Sequence, residues 1–243
     1  MSQSALVGVG LYSIPDAARI IGLKPAILRR WVSEYTYTSH GVTYRHRPVV
    51  PPRLSGTKGV LTFLELIELL FVKQFRAEGV SMQVIRKAAQ AAARKFDTPY
   101  PFAVRHFDTD GRSIFETLKA QPDGEAIVED LARGQYVFDI IVHHKPIPSH
   151  ILVVRPFFRK LDYSDAGIAL KFWPLDREGR VVLDPEREFG APIDDETGVP
   201  TRALFDAVRS GGGQSCETVA AWFEVPLAAV EAAVRYESML AAA

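Results

Sequence analysis

The sequence predicts an α+β protein in which helical segments at both ends enclose a β-rich middle segment. Apolar residues recur at helical spacing within residues 12–32, 63–95 and 201–236. Residues 104–173 instead carry short β-like runs separated by turn signals such as Asp110-Gly111. We therefore divide the 243 residues into three parts, residues 1–95, 96–179 and 180–243.

Charge divides the chain in the same way, although the formal net charge is zero. Residues 1–95 hold 14 Lys and Arg against 5 Asp and Glu, a net charge of +9. The middle part holds 10 against 13, a net of −3, and the last part 5 against 11, a net of −6. The basic part is expected to attract phosphate. The acidic part would attract a basic partner, or is simply a solvated helical surface.

The cysteine content, the first residues and the apolar stretches of the sequence exclude several kinds of site and segment. Cys216 is the single cysteine, which excludes an internal disulfide and a Cys-based zinc site and is typical of a reducing compartment. The first ten residues lack the pattern of a signal peptide. The most apolar stretch, residues 60–72, is too short and too charged to span a bilayer, which needs about 20 apolar residues. We expect a cytoplasmic protein that does not enter the membrane.

Residues 12–31 predict a helix, a tight turn and a second, basic helix. Ser13 can cap the first helix, and Gly22 can take the positive φ that ends it. Pro25 begins the second helix, which is expected to bury Leu28 and Val32 and to expose Lys24, Arg29 and Arg30. Such a pair forms the helix-turn-helix with which many proteins read DNA. A packed helical hairpin without DNA is the alternative.

Residues 35–48 predict a hairpin around Gly41, because aromatic or β-branched residues alternate with polar ones. Its second strand carries Tyr44, Arg45, His46 and Arg47, and the loop that follows carries Arg53 and Lys58. A hairpin behind a recognition helix is a wing, whose arginines can reach phosphates or the minor groove. A solvated edge hairpin is the alternative.

Two more helices are predicted, at residues 63–78 and 82–95, with Thr62 and Ser81 as their caps. The first is expected to bury Leu66, Ile67, Leu70 and Phe71. The second is expected to bury Ile85, Ala88, Ala89, Ala92 and Phe96, and to expose Arg86, Lys87, Arg94 and Lys95.

In this order and spacing, residues 12–95 resemble the winged helix-turn-helix domain of MerR-type regulators. The resemblance includes the segment LTFLELIELLFVKQFRAEGVSMQVIRKA. It implies that the second helix enters the major groove and that the wing follows the DNA backbone. The sequence lacks the long heptad-patterned dimerisation helix and the Cys-based metal sensor of those regulators, so metal sensing is not implied.

The resemblance also implies which residues meet DNA. It places Lys24, Ala26, Arg29 and Arg30 on the groove side of the second helix. The wing would contribute Tyr44, Arg45 and Arg47, and the loop after it Lys58.

The middle part predicts hairpins and gives little sign of chemistry. Residues 104–107 and 113–115 would pair around Asp110-Gly111, residues 136–142 form a β-like run, and residues 160–163 and 168–173 would pair around Gly167. Phe172 and Trp173 are expected in the core. His143, His144 and His150 form the one local group of histidines. A metal site at these residues is a weaker hypothesis than a solvated strand end, because a metal requires three or four ligands in fixed geometry.

Sequence motifs of catalysis and cofactor binding are absent. The chain has no G-x-S-x-G, H-E-x-x-H, Walker or G-x-G-x-x-G pattern. Asp194 and Asp195 are expected to face water rather than a metal. We therefore expect no enzymatic activity, no catalytic or metal-binding residues and no cofactor. A nuclease or other enzyme is the weakest hypothesis.

The last part predicts a final strand at residues 181–183, then a Pro/Gly-rich stretch and a small three-helix domain. The helices are expected at residues 201–210, 216–223 and 226–236, with Ser215 as a cap and a turn through Glu224. Leu204, Phe205 and Val208 would face inward, and a packed group would comprise Val219, Trp222, Leu227, Val230 and Val234. The last two helices have a helix-turn-helix shape, but their acidity favours contact with protein over DNA.

This last part resembles a small bacterial family of uncharacterised function that typically serves as the antitoxin partner of PIN-like ribonuclease toxins. The residues that carry the resemblance are Asp184-Pro185, Phe189-Gly190, Pro192 and Gly198 to Thr201. The family usually carries an arginine one position after the small residue that follows this glycine, whereas here Gly198 is followed directly by Val199 and Pro200.

Together the two resemblances imply a VapB-like antitoxin of a type II toxin–antitoxin pair. Such a protein would neutralise a PIN-type ribonuclease toxin and bind operator DNA to repress its own operon. We expect a homodimer, because one short recognition helix reads too few base pairs. The alternative is a ligand-responsive MerR-like regulator without a toxin partner, in which the middle part would be the sensor.

Overall fold

A computed structural model of the chain describes residues 8–54, 59–77, 79–103, 107–109, 114–118, 127–130, 135–136, 159–210 and 213–241. The N-terminal elements are β1 (Leu11–Ser13), α1 (Ile14–Ile21), α2 (Pro25–Val32), β2 (Tyr35–Ser39), β3 (Val42–His46), β4 (Val60–Thr62), α3 (Phe63–Ala77) and α4 (Met82–Lys95). The middle elements are β5 (Phe107–Thr109), β6 (Ile114–Leu118), β7 (Ile127–Asp130), β8 (Gln135–Tyr136), β9 (Leu161–Tyr163) and β10 (Ala169–Phe172). The last elements are β11 (Val181–Leu183), β12 (Pro192–Asp194), α5 (Thr201–Arg209), α6 (Cys216–Phe223) and α7 (Leu227–Ala241). The mixture of helices and sheets is consistent with the predicted α+β class.

The first helix pair has the predicted boundaries. The Ser13 side chain accepts a hydrogen bond from the amide of Asp16, and Gly22 ends α1 at φ 70°. The amide of Leu23 then donates to the carbonyl of Ala18 at 2.8 Å, which closes the helix end. Leu28 and Val32 of α2 are buried as expected. The residues Ile14, Ala17, Ala18 and Ile21, which helical spacing places on one face of α1, are buried as well.

Helix α3 is buried on nearly every side, which its sequence did not predict. Its expected stripe is buried, and so are Glu65 and Glu68. Glu65 accepts hydrogen bonds from the amides of Thr62 and Arg53, at 2.8 and 2.7 Å. Glu68 accepts one from the amide of Ala103 at 2.7 Å. Both carboxyl groups therefore accept hydrogen bonds from backbone amides of neighbouring segments, which satisfies those buried donors.

Helix α4 has the predicted cap and inner face. The Ser81 side chain accepts from the amide of Val84, and Ile85, Ala88, Ala89 and Ala92 are buried. Phe96 is only partly buried against the same core. On the outer face, Arg86 is half-buried because its Nε donates to the carbonyl of Arg47 at 3.0 Å.

The described middle strands form an antiparallel sheet in the order β5-β6-β7-β8. Strands β5 and β6 pair antiparallel as predicted, although β5 begins three residues and β6 one residue later than expected. The turn residues Asp110 and Gly111 lie outside the described residues. Strand β7 was missed, because its sequence, IVED, is short and ends in two acidic residues, which are depleted in strands. Of the predicted run at 136–142 the described part is Tyr136, and residues 137–158, with all three histidines, lie outside the described residues.

A second antiparallel sheet has the order β12-β11-β10-β9. Strands β9 and β10 confirm the hairpin around Gly167, and Phe172 and Trp173 are buried as expected. Strand β11 was predicted to be the last strand, which is wrong, because β12 pairs with it from Val181↔Asp194 to Leu183↔Pro192. Strand β10 pairs with β11 through Phe172 and Leu183. The sheet therefore contains strands from both sides of the part boundary that the sequence predicted between residues 179 and 180.

Asp194 does not face water as predicted. Its place on the paired strand β12 turns the side chain inward, where it is buried. Arg180 Nε donates to Asp194 Oδ1 at 2.9 Å, and Thr197 donates from its amide and hydroxyl at 2.9 and 2.8 Å. Burial would raise the pKa of Asp194, but these hydrogen bonds outweigh burial and hold the pKa below its ordinary value. Asp194 thus stabilises the loop that contains Thr197.

The last three helices pack around a small cluster of their own, which includes Leu204, Val219 and Val230. Ser215 caps α6 and Glu224 ends it in the left-handed conformation at φ 53°. Helix α7 is longer than predicted and reaches Ala241. The expected burial of Trp222 and Leu227 is wrong, because 61% of Trp222 and 38% of Leu227 are exposed. Both lie beside the turn between α6 and α7, where helical spacing does not determine which side packs.

A single large core joins the N-terminal helices to the second sheet. It contains Phe63, Phe71 and Phe75 from α3, together with Leu161, Phe172 and Leu183 from the sheet. Among the described residues, no helix is long and apolar enough to cross a membrane.

Candidate nucleic-acid interface

Helix α2 presents a basic face to solvent. Lys24, Ala26, Arg29 and Arg30 are exposed, as predicted, while Leu28, Trp31 and Val32 on the opposite side are buried. Within the described part of the chain, Lys24, Arg29 and Arg30 form no ion pair with a carboxylate. Their charges are therefore available to an anionic partner.

Hydrogen bonds to other segments hold both the turn before α2 and the end of α2. The Nζ of Lys73 in α3 donates to the carbonyl of Ile21 at 2.5 Å, at the point where α1 ends. Burial lowers the pKa of Lys73. The carbonyl of Trp31 accepts from the amides of Val49 and Val50 at 2.8 and 3.3 Å, which attaches the chain after the hairpin to α2.

The hairpin of β2 and β3 presents two different faces. Its register pairs Tyr37 with Tyr44 and Thr36 with Arg45. Successive side chains of a strand point to opposite faces, so Tyr44 and Arg45 lie on opposite faces of the hairpin. The aromatic face is a stack in which Tyr37 lies 5.1 Å from Tyr44 and 5.5 Å from His46, ring centroid to ring centroid.

Arg45 has a partner that the sequence did not suggest. Its Nη2 donates to Glu34 Oε2 at 3.0 Å, and its Nε donates to the other carboxylate oxygen. This hydrogen bond is the main reason why the pKa of Glu34 lies below its ordinary value. Glu34 lies two residues after the end of α2. The Arg45–Glu34 ion pair therefore connects the hairpin to the end of the basic helix. The exposed pair neutralises Arg45 in part.

Arg47 follows the last residue of β3, so it does not belong to the second strand as predicted. It lines a cleft of about 270 Å³. Arg53 and Arg86 also line this cleft. Arg86 was not predicted to belong to the interface. Its expected position on the outer face of α4 was the one feature of the sequence that could have indicated it. Lys58 lies outside the described residues.

No group of three or more His, Cys, Asp or Glu side chains that could hold a metal ion is present in the described ranges. The exposed side chains around α2 and the hairpin instead include arginines, a lysine and tyrosines. Arginine and lysine bind phosphate, and tyrosine donates to it as well. This composition suits a nucleic-acid backbone.

Comparison with known proteins gives a match to this same region. Residues 10–89 match the family model described as "Putative DNA-binding HTH domain". The match includes both helices of the first pair, the hairpin, α3 and most of α4.

Two whole-chain similarities extend beyond that region. The chain is 26% identical over 215 residues to "Putative antitoxin VapB45" of Mycobacterium tuberculosis, and the alignment covers 84% of each protein. It also resembles the crystal structure of Rv2018 from Mycobacterium tuberculosis, with 22% identity and a TM-score of 0.58, over 94% of this chain and 98% of that one. The structural similarity shows a shared fold across nearly the whole length.

Proposed function

We propose that this protein is a VapB-like antitoxin that binds operator DNA through α2 and neutralises a ribonuclease toxin through its last part. The observation that carries the proposal is the unpaired basic face of Lys24, Arg29 and Arg30, which lies inside the region that matches a DNA-binding helix-turn-helix. The similarity to an antitoxin over 84% of both chains supports the second activity. The proposed protein is a cytoplasmic binding protein and not an enzyme.

In the proposed complex, α2 enters the major groove as in MerR-type regulators. Arg29 and Arg30 would contact base edges or phosphates, and Ala26 would allow close approach. The hairpin would act as the wing, and only one of its two faces would contact DNA. Because Tyr44 and Arg45 lie on opposite faces, we propose that Arg45 and Arg47 approach the backbone and that the aromatic stack does not.

A homodimer would supply the length of DNA that one short helix cannot read. Two copies related by a dyad would bind half-sites about 34 Å apart or a multiple of that distance. Autorepression would follow if the operator overlaps the promoter of the protein's own gene.

The toxin is proposed to be a PIN-type ribonuclease, in line with the resemblance of the last part of the chain to antitoxin partners of such enzymes. Residues 180–243 carry a net charge of −6. An acidic segment can occupy the basic groove in which a ribonuclease holds RNA. The similarity to an antitoxin gives no support to the ligand-responsive alternative.

A gel-shift titration with DNA from upstream of the gene tests the DNA-binding half. Arg29→Ala and Arg30→Ala should each weaken operator binding at least about tenfold, which is the effect of losing one specific contact. The matched control is Arg94→Ala on α4, which removes an exposed arginine from a different helix and should change affinity less than about threefold. Pulldown of the co-expressed product of the adjoining gene should persist in all three variants. Unchanged operator binding in both α2 variants would overturn the role of this helix.

A further inference from the structure

Three apolar side chains are exposed at the turn between α6 and α7. They are Trp222 at 61%, Phe223 at 38% and Leu227 at 38% exposure, and together we call them the Trp222 patch. Trp222 and Phe223 end α6, and Leu227 begins α7. Fully or partly exposed aromatic residues that lie together are typical of protein-binding surfaces rather than of a random surface.

The folded structure does not use these side chains in its core. The buried residues that hold α6 to α7 are Val219 and Ala220 on one helix and Ala229 and Val230 on the other. Glu224 closes α6 in the left-handed conformation, which is unfavourable for a residue other than glycine or asparagine. The turn is thus held in a strained conformation that leaves the Trp222 patch outside.

The chain from just before α6 through the first half of α7 carries charges of one sign. Residues 213–234 contain Glu217, Glu224 and Glu231 and neither Lys nor Arg, and the next basic residue along α7 is Arg235. All three glutamates are exposed. Hydrogen bonds from its own amide and from Ser215 hold the pKa of Glu217 below its ordinary value, so it is ionised at neutral pH.

This arrangement favours one kind of occupant. A second copy of the chain bound through the same patch about a dyad would set these glutamates against their own copies. Duplex DNA would be repelled by the same charges. A protein with a basic groove that contains an apolar pocket suits both features, because the pocket takes Trp222 and the groove takes the carboxylates.

We propose that the Trp222 patch is the docking surface for such a basic protein partner. This inference rests on the proposed antitoxin function, and it identifies the surface through which the toxin is bound. Trp222 would be the buried anchor of the interface, and the glutamates would steer association.

Binding of the full-length chain to the purified product of the adjoining gene tests the proposal by biolayer interferometry. Trp222→Ala should raise Kd at least about 30-fold, the effect of losing one hot-spot side chain. Leu170→Ala is the matched control, because Leu170 is a large apolar residue on β10 with 45% exposure. This control should change Kd less than about twofold.

A second set of variants tests the charge. Lysine at all three positions Glu217, Glu224 and Glu231 should slow association at least about tenfold at low salt. Lysine at the exposed positions Asp165, Glu178 and Glu186 is the matched control with the same change of net charge. The two triple variants differ in location only, so equal rates would overturn the steering role.

The remaining outcomes separate the proposal from the function on which it rests. If the wild-type chain does not bind the product of the adjoining gene, the antitoxin function fails and the docking surface fails with it. If the wild type binds and Trp222→Ala binds equally well, the function stands and the docking surface is wrong. If Trp222→Ala instead separates a dimer into monomers in sedimentation, with Kd for the partner unchanged, the patch is a self-association surface and the proposal is overturned. An unchanged helix content in far-UV circular dichroism and a urea midpoint within the error of the wild type show that each variant is folded.

Discussion

Arg19 of α1 and Glu237 of α7 form an ion pair in which Nη1 and Oε2 are 2.5 Å apart. The two residues are 218 positions apart in the sequence. The Glu237 side chain is only 1% exposed, and it accepts a second hydrogen bond from Thr201 Oγ1 at 2.7 Å. A single buried carboxylate therefore links the first helix pair to the last three helices.

Loss of the arginine should destabilise the whole chain. Arg19→Met leaves the Glu237 carboxylate buried without its cation, which should lower the free energy of unfolding by about 2 kcal/mol in urea denaturation. The double variant Arg19→Met/Glu237→Gln removes the stranded charge and should recover about 1 kcal/mol. Arg202→Met breaks an exposed pair with Asp206 and should cost less than about 1 kcal/mol. Equal losses in Arg19→Met and Arg202→Met would contradict the importance of the buried pair.

A second link between the ends of the chain joins Tyr12 to Gly190. The Tyr12 hydroxyl donates to the carbonyl of Gly190 at 2.7 Å, in a buried contact. Gly190 has φ 82°, and a Cβ at this position would lie 2.4 Å from the Tyr12 hydroxyl oxygen. Tyr12→Phe should cost about 1 to 2 kcal/mol, because a buried carbonyl loses its donor.

Gly190→Ala should cost more than Tyr12→Phe, about 3 kcal/mol, since it adds a steric clash to an unfavourable φ. Gly213→Ala is the control, because Gly213 has φ 92° and open space around its Cβ position. It should show the backbone cost alone, about 1 kcal/mol. Thermal and urea unfolding measure all three variants, and a Gly213→Ala loss as large as that of Gly190→Ala would rule out the clash.

Local features of this fold could be predicted from sequence, whereas contacts between distant segments could not. Ser13, Gly22 and Ser81 act within four residues of themselves, so caps and turns followed directly from residue type. The pairs Arg19–Glu237 and Tyr12–Gly190 join the two ends of the chain, and no periodicity reports on such contacts. In the candidate interface, the outward positions of Arg29 and Arg30 were predictable from helical spacing. The Glu34 partner of Arg45 was not, because it depends on how the hairpin folds back toward α2.

The buried Glu68 should make stability depend on pH. Burial raises its pKa from the ordinary 4.5 to about 8, although hydrogen bonds from the amides of Ala103 and Phe102 oppose the rise. Between these values the folded chain keeps a proton that the unfolded chain has lost. The free energy of unfolding therefore falls as pH rises from about 4.5 to 8, by at most about 1.4 kcal/mol per pH unit from this group.

Glu68→Gln removes this titration and keeps a side-chain oxygen as acceptor. Urea denaturation at pH 5, 6, 7 and 8 should show a flatter pH profile for this variant than for the wild type. The exposed-acid control Glu178→Gln should keep the wild-type slope. Parallel profiles for Glu68→Gln and the wild type would mean that Glu68 is ionised in the folded chain.

If the proposed wing contacts the DNA backbone, Glu34→Gln should strengthen non-specific DNA binding. Glu34 holds Arg45 in an exposed ion pair, so removing the carboxylate frees a cation for phosphate. Affinity for a random duplex should rise about twofold at low salt, and the slope of log K against log salt should steepen by up to about 0.9, the value for one additional phosphate contact. Fluorescence anisotropy at several salt concentrations measures both quantities. The double variant Glu34→Gln/Arg45→Ala is the control. Its affinity should equal that of Arg45→Ala, because the gain requires the freed guanidinium. The same gain in the Arg45→Ala background would mean that Glu34 repels DNA directly.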